Sequence, residues 1–157
     1  MQRRAFLVLG AASLASGAIA RAASAGKSRV AVIVAQSSPL ADISLGDLRR
    51  IFLSQVRNHA GERIVPFNQP RNTLPRRVFD ERVLGMGPEE SARYWVDQRI
   101  RGSSKPPRPI ASPQLLLRVV SQFPGAIGYL QETDLGDGVK ALKVSGSSLA
   151  DESYPIQ

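Results

Sequence analysis

An uninterrupted run of small and β-branched apolar residues, Arg29-Val-Ala-Val-Ile-Val-Ala35, constrains the fold more than any other feature. Strands with one solvated face alternate apolar and polar residues, whereas this run has no polar residue after Arg29. The run therefore predicts a central strand buried on both faces. Because such a strand needs helices on each side of its sheet, an α/β domain is the expected architecture.

The rest of the chain alternates helical and strand patterns in a way that suits such a sheet. Further strands are expected at residues 63–67, where Pro66 indicates an edge or a strand end, and at 125–130 and 139–144. Capping residues and apolar spacing predict helices that begin at Ser44, Thr73, Pro88 and Ser112. Residues 26–157 are thus expected to form one α/β domain. We predict a mixed, mostly parallel sheet flanked by helices, with a loose polar tail from about residue 145.

Residues 1–25 are typical of an export signal. Arg3 and Arg4 precede the charge-free run from Ala5 to Ala20, and Ala23-Ser-Ala25 supplies a cleavage pattern of small residues. The run is too short and too diluted by glycine and serine to span a bilayer stably. The arginine pair resembles the twin-arginine signal; the general secretory route and an uncleaved anchoring helix are the alternatives. We expect cleavage near Ala25 and a periplasmic location.

Charge and cysteine content narrow the chemistry. The chain has a formal net charge of +8 and contains no cysteine. The lack of cysteine excludes disulfides, thiolate catalysis and cysteine-ligated metals. Most of the basic residues are arginines, whose forked guanidinium favours contacts with oxyanions.

Several blocks of sequence are similar to those of phosphate-type periplasmic substrate-binding proteins. The segments Asp47 to Leu53 and Gly61 to Pro66 resemble a family block in which a helix ending in Ile-Phe precedes a strand. Thr73 to Phe79 corresponds to a hydroxyl-bearing loop that leads into a helix. Val119 to Tyr129 matches the family's Pro-Gly-Ala-Ile-Gly-Tyr signature and is the most specific of the blocks.

The resemblance implies one lobe of a type II periplasmic binding protein. The full family has two lobes that close on phosphate, and its chains are roughly twice as long, more than one domain supplies. Phosphate or a related oxyanion, and an ABC-type transporter, are therefore the implied ligand and partner. The ligand loop departs from the family pattern, because Arg71-Asn72-Thr73 keeps an arginine and a hydroxyl but lacks the usual Ser-Gly. The loop after the first strand is reduced to Gln36-Ser37-Ser38.

The same segments can bind an anion on physical grounds. The start of the helix after Thr73 offers backbone N–H groups and a partial positive charge, and nearby guanidinium groups can donate in pairs. Ligands of open α/β sheets bind beyond the carboxyl ends of strands, so we expect the loops after the first and second strands to share one edge. The predicted ligand-binding residues are Ser37, Ser38, Arg71, Asn72, Thr73 and Arg76.

Each of these residues also has a structural interpretation. Thr73 can be a plain helix cap, and Arg71 and Arg76 can be solvated or paired with carboxylates.

An enzymatic role has little support, because His59 is the one histidine and no catalytic motif or metal-ligand set is recognisable. We expect a non-enzymatic protein without cofactor that does not bind nucleic acid. The alternative to anion binding is a degenerate lobe that acts as an interaction module for another envelope protein.

Overall fold

The structure is a computed structural model that describes residues 28–157, so the predicted signal peptide lies outside the described residues. The strands are β1 Val30–Ala35, β2 Asp42–Ile43, β3 Asn58–His59, β4 Glu62–Arg63, β5 Val65–Asn68, β6 Arg108–Pro109, β7 Ala126–Gln131, β8 Val139–Ala141 and β9 Lys143–Val144. The α-helices are α1 Leu45–Phe52, α2 Leu74–Phe79, α3 Pro88–Ile100 and α4 Pro113–Gln122. A π-helical turn, Asp80–Leu84, extends α2. None of the helices in this part of the chain has the length and apolar character that a bilayer span requires.

The central sheet has five strands in the order β6-β5-β7-β1-β8. β5 runs parallel to both of its neighbours, β6 and β7, whereas β1 runs antiparallel to β7 and β8. It follows that β1 alone is reversed in this sheet and the other strands share one direction. The expected mixed, mostly parallel sheet flanked by helices is confirmed.

Alternate residues of β1 pack into two separate cores. Val30, Val32 and Val34 belong to a cluster that includes apolar residues of α1, α2 and the π-helical turn. Ala31 and Ile33 pack on the opposite face of the sheet with apolar residues of α4. Every residue of β1 is at most 1% exposed, as the β-branched run predicts. The domain is therefore three layers deep.

Two capping residues predicted from the sequence begin their helices as expected. The Ser44 hydroxyl accepts a hydrogen bond from the Asp47 amide at 3.0 Å and donates one to the Asp47 carboxylate at 2.8 Å. The Ser112 hydroxyl accepts from the Leu115 amide at 3.2 Å. Each bond satisfies an N–H group that has no partner within the helix.

The position of Pro66 agrees with the prediction of an edge or a strand end. Pro66, the second residue of β5, pairs with Ile127 of β7, and the short strand β6 lies on the other side of β5. The proline is tolerated because β6 pairs with Phe67 and Asn68, after Pro66. Pro66 therefore has a strand partner on one side only, at the start of β5.

The C-terminal segment is packed, which corrects the expectation of a loose tail. Tyr154 is 1% exposed and Ile156 is fully buried. The Ile156 carbonyl accepts from the Val30 amide at 3.0 Å, and the Tyr154 hydroxyl donates to the Val30 carbonyl at 3.0 Å. Burial raises the pKa of Tyr154 to about 12, so its hydroxyl stays protonated as this donor. The expectation of a loose tail is wrong because it rested on the many polar residues of this segment, whereas the buried Tyr154 and Ile156 anchor it.

Gly125, directly before β7, allows the chain at this point to lie very close to the segment before β5. A Cβ added to Gly125 would lie 2.3 Å from the Arg63 carbonyl oxygen, a backbone atom that cannot move without breaking the sheet. We expect Gly125→Ala to lower the free energy of unfolding by about 1–3 kcal/mol. Urea denaturation followed by circular dichroism measures this change.

Gly46→Ala is the matched control for this substitution. Its added Cβ would come no closer than 3.9 Å to another atom, and alanine favours the helix in which Gly46 lies. The control should be neutral or slightly stabilising. Equal stability of the Gly125→Ala and Gly46→Ala variants would contradict the close contact at Gly125.

Candidate functional site

A cavity of about 460 Å³ lies beyond the carboxyl end of β5, in the region where an open α/β sheet binds ligands. The chain leaves β5 at Asn68 and turns into α2, while α3 and the segment around β6 close the other sides. The lining residues are Asn68, Gln69, Pro70, Arg71, Arg76, Trp95, Pro106, Pro107, Pro109 and Ala111. We call it the β5 cavity.

The floor of the β5 cavity is held by hydrogen bonds to Tyr129 of β7. The Tyr129 hydroxyl donates to Asn68 Oδ1 at 3.1 Å and accepts from the Gln69 amide at 3.3 Å. Gln69 Nε2 donates to the Tyr129 carbonyl at 3.0 Å. All three residues are buried, and burial raises the pKa of Tyr129 above its ordinary value of 10.0. The hydroxyl therefore remains a neutral donor, and these bonds fix the end of β5.

Arg76 is buried and paired, which limits its role as a ligand donor. Its Nε lies 2.9 Å and 2.8 Å from the two carboxylate oxygens of Asp80, one helical turn later. Its Nη1 donates to the Gln69 carbonyl at 3.3 Å. Each side chain of the pair is 7% exposed. Asp80 thus offsets most of the charge that Arg76 would bring to an anion.

Burial has the largest effect on Asp80. Removal from water raises the pKa of its carboxyl above the ordinary value of 3.8, although Arg76, a hydrogen bond from Ser91 and the charge of Arg71 act in the opposite direction. Asp80 is thus the acidic group of the site, and Arg71 is close enough to influence it. Three guanidinium groups, those of Arg71, Arg76 and Arg77, line the small cavity that contains the Asp80 carboxyl.

Arg71 is the exposed guanidinium of the site. It lines the β5 cavity and also a small adjoining cavity of about 30 Å³ that contains Asp80 and Ser91. Within residues 28–157, no carboxylate lies within salt-bridge distance of Arg71. Its five N–H donors are therefore the ones best able to reach a ligand.

Asn72 and Thr73 complete the turn into α2 without capping it. Thr73 occupies the N-cap position, but its hydroxyl donates to the Pro70 carbonyl at 2.8 Å and no side chain caps the helix. Asn72 is exposed, and Pro75, in the first turn of the helix, is buried. The turn brings Arg71, Asn72, Thr73 and Arg76 together, as predicted.

Ser37 and Ser38 lie at the opposite end of the sheet, which corrects the expectation of a shared edge. Val34 and Pro66 both pair with Ile127, so the end of β1 adjoins the beginning of β5. Ser38 is buried, and its carbonyl accepts from Lys140 Nζ at 2.6 Å. The expectation is wrong because it assumed that β1 and β5 are parallel.

Three cavity residues were missed as site residues. Asn68 and Gln69 form a polar pair directly after an apolar strand, which is the signal that could have identified them. Trp95 of α3 is 3% exposed and also lines the β5 cavity. Its indole N–H has no hydrogen-bond partner among the described residues. A buried unpaired N–H is energetically costly, so an acceptor within its reach would be stabilising.

The fold is that of about half of a phosphate-type substrate-binding protein. The structure is similar to a protein from Clostridium perfringens assigned as a phosphate ABC transporter substrate-binding protein, solved with bound phosphate, at 22% identity and a TM-score of 0.66 over 82% of this chain and 52% of that one. It is also similar to PstS from Borrelia burgdorferi, at 15% identity and a TM-score of 0.63 over 82% of this chain and 54% of that one. A third similar structure is an ABC-type phosphate transport receptor from Vibrio cholerae, at 15% identity and a TM-score of 0.62 over 77% of this chain and 48% of that one. No family model matches the sequence. The predicted resemblance, in a shortened single-lobe form, is shown at the level of fold.

The buried carboxyl of Asp80 gives stability a pH dependence of defined sign. Its folded-state pKa is raised above the ordinary value of 3.8, so folding favours its neutral form. The stabilisation that the neutral carboxyl of Asp80 gives to the folded state is fully present below about pH 4 and is lost as the pH rises through the folded-state pKa. We expect the free energy of unfolding of the wild type, minus that of Asp80→Asn, to decrease from pH 4 upward.

Urea denaturation of both proteins at a series of pH values measures this difference. The Asn variant removes the titration and keeps an oxygen acceptor beside Arg76, whose own charge does not change in this range. A difference that increases with pH would mean that Arg76 lowers the pKa of Asp80 below its ordinary value.

Proposed function

We propose that the chain is an exported, non-enzymatic binding protein whose β5 cavity binds phosphate or a related inorganic oxyanion. The observation that carries this proposal is the position of Arg71, an exposed guanidinium at the mouth of a cavity beyond the carboxyl end of a parallel strand pair. Arginine binds tetrahedral oxyanions through two parallel N–H···O bonds.

The donors available for an anion are few and come mainly from the turn before α2. Arg71 can contribute a full fork, and Asn72 is exposed beside it. The Nε–H and one N–H of Nη1 in Arg76 are engaged, which leaves the second N–H of Nη1 and the two of Nη2 as its remaining donors. Asn68 is committed elsewhere, because its amide donates to the Pro107 carbonyl at 3.4 Å and its oxygen accepts from Tyr129.

The small number of available donors determines the expected affinity for an anion. Each charge-assisted hydrogen bond contributes about 1.5–3 kcal/mol, and micromolar binding requires about 8 kcal/mol. Two or three such bonds in a cavity open to solvent therefore give binding in the millimolar to high micromolar range. A second wall that excludes water, supplied by a partner or a second copy, would strengthen it.

The proposed role is that of a substrate-binding component or accessory of an ABC-type transport system in the periplasm. Support comes from the sequence of residues 1–25 and from the fold shared with phosphate transport receptors. The chain spans about half the length of those structures.

A second candidate function is an interaction module without a small ligand. The Arg76–Asp80 pair favours it, since one of the two predicted guanidinium donors is largely neutralised within the protein. In this alternative the same lobe would bind another envelope protein.

Titration calorimetry with phosphate and sulfate tests the first candidate against the second. We expect saturable heat with at least one of these anions, and about a tenfold to hundredfold loss of affinity in Arg71→Ala, the equivalent of one charge-assisted bond. Arg118→Ala is the matched control, because Arg118 is an exposed arginine of α4, which packs on the opposite face of the sheet.

The outcomes separate the two functions. An absence of heat at millimolar anion would favour the interaction module. Binding that is unchanged in Arg71→Ala, or weakened equally in Arg118→Ala, would show that anions bind elsewhere or through net charge alone.

A further inference from the structure

A second basic cavity lies beside the first and plays no part in the proposed anion site. It has a volume of about 330 Å³ and lies between the end of α1, the β3–β4 hairpin and the edge formed by β5 and β6. Arg57, Arg63 and Arg108 line it, and we call it the arginine groove. Pro107 borders both cavities and separates them.

The charge of the arginine groove is uncompensated. All three arginines are exposed, and no aspartate or glutamate belongs to its lining. No salt bridge joins them to a carboxylate anywhere in residues 28–157. Three guanidinium groups around one concavity repel one another, so an anionic occupant lowers the electrostatic energy.

The groove continues into an apolar depression. Val65 and Phe67 line the arginine groove and also a neighbouring cavity of about 310 Å³, whose other walls include Phe123 and Pro124. Val65 is 44% exposed and Phe123 is 58% exposed. Alternation along β5 places Val65 and Phe67 on the same face of the strand, so the apolar surface is continuous.

We propose that the arginine groove and its apolar extension bind an acidic segment of a partner protein, with carboxylates at the three arginines and an apolar side chain against Phe123. The complementary charge selects an acidic sequence, and the apolar extension offers nothing to a bare inorganic ion. The surface is concave, and a polypeptide segment can contact the arginines and the apolar depression together. This inference is independent of anion binding at the β5 cavity.

Fluorescence anisotropy with a labelled peptide tests the proposal on the full chain. The probe carries three glutamates, one glycine and two leucines, and a second probe has glutamines in place of the glutamates. The glutamate probe should bind more tightly, and Arg57→Gln/Arg63→Gln/Arg108→Gln should weaken it by about tenfold, as expected for three exposed ion pairs. Phe123→Ser should weaken it by about threefold through the loss of apolar contact.

The matched control removes the same charge from another surface. Arg93→Gln/Arg99→Gln/Arg101→Gln alters three exposed arginines in and just after α3, and should change the affinity by less than about twofold. Arg71→Ala should leave peptide binding intact, which distinguishes this site from the β5 cavity. Should the triple groove variant fail to fold, the single Arg57→Gln and Arg108→Gln variants should each weaken binding by about twofold to threefold.

Three outcomes would overturn the proposal: equal affinity for the two probes, equal loss in both triple variants, or binding to phosphatidylglycerol vesicles through the groove arginines without binding of the glutamate probe. The first would exclude recognition of the peptide's charge. The second would show that binding depends only on the net charge of the protein and not on the arginines of the groove. The third would assign the groove to a membrane surface.

Discussion

The antiparallel pairing of β1 with β7 decides which loops of this domain can act together. β1 is the most deeply buried strand, and its five residue pairs with β7 fix its direction against the other strands of the sheet. As a result, the loops after β1 and after β5 leave the sheet at opposite ends. The guanidinium groups of the β5 cavity therefore come from the β5–α2 turn and from α2, without a contribution from the loop after β1. Every functional inference about the β5 cavity depends on this arrangement.

β7 carries the most specific of the family-like sequence blocks, and its residues act on the scaffold. Gly125 permits close approach to the chain before β5, and Gly128 faces Leu116 of α4, with an added Cβ only 3.0 Å from the nearest leucine carbon. Tyr129 stacks on Phe79 of α2 with ring centroids 3.8 Å apart, and its hydroxyl holds the end of β5. The block thus positions α2 and the floor of the cavity.

Sequence reasoning succeeded where a local pattern determines the structure. The β-branched run of β1 and the cap at Ser44 are such cases, because burial on both faces and a hydrogen bond three residues away need no knowledge of topology. It failed where a distant partner decides. The separation of Ser38 from Arg71 follows from strand direction, which periodicity does not encode. For Arg76, the sequence left open whether its side chain is solvated or paired with a carboxylate, because an exposed Arg–Asp pair one turn apart has the same spacing as the buried pair with Asp80. A buried pair contributes little net stability but holds its members in one geometry, and removing one partner costs about 3–5 kcal/mol.

Two-dimensional NMR of the ¹⁵N-labelled protein titrated with inorganic phosphate tests most directly whether ligand recognition belongs to the β5 end of the sheet. Trp95 is the one tryptophan of the chain, so its indole N–H gives a single signal that reports on the β5 cavity. The predicted result is a set of saturable shift changes at the Trp95 indole and at the amides from Gln69 to Arg76, with Ser37 and Ser38 unaffected. Saturable changes centred on Ser37 and Ser38, with a silent indole and a silent β5–α2 turn, would contradict the account.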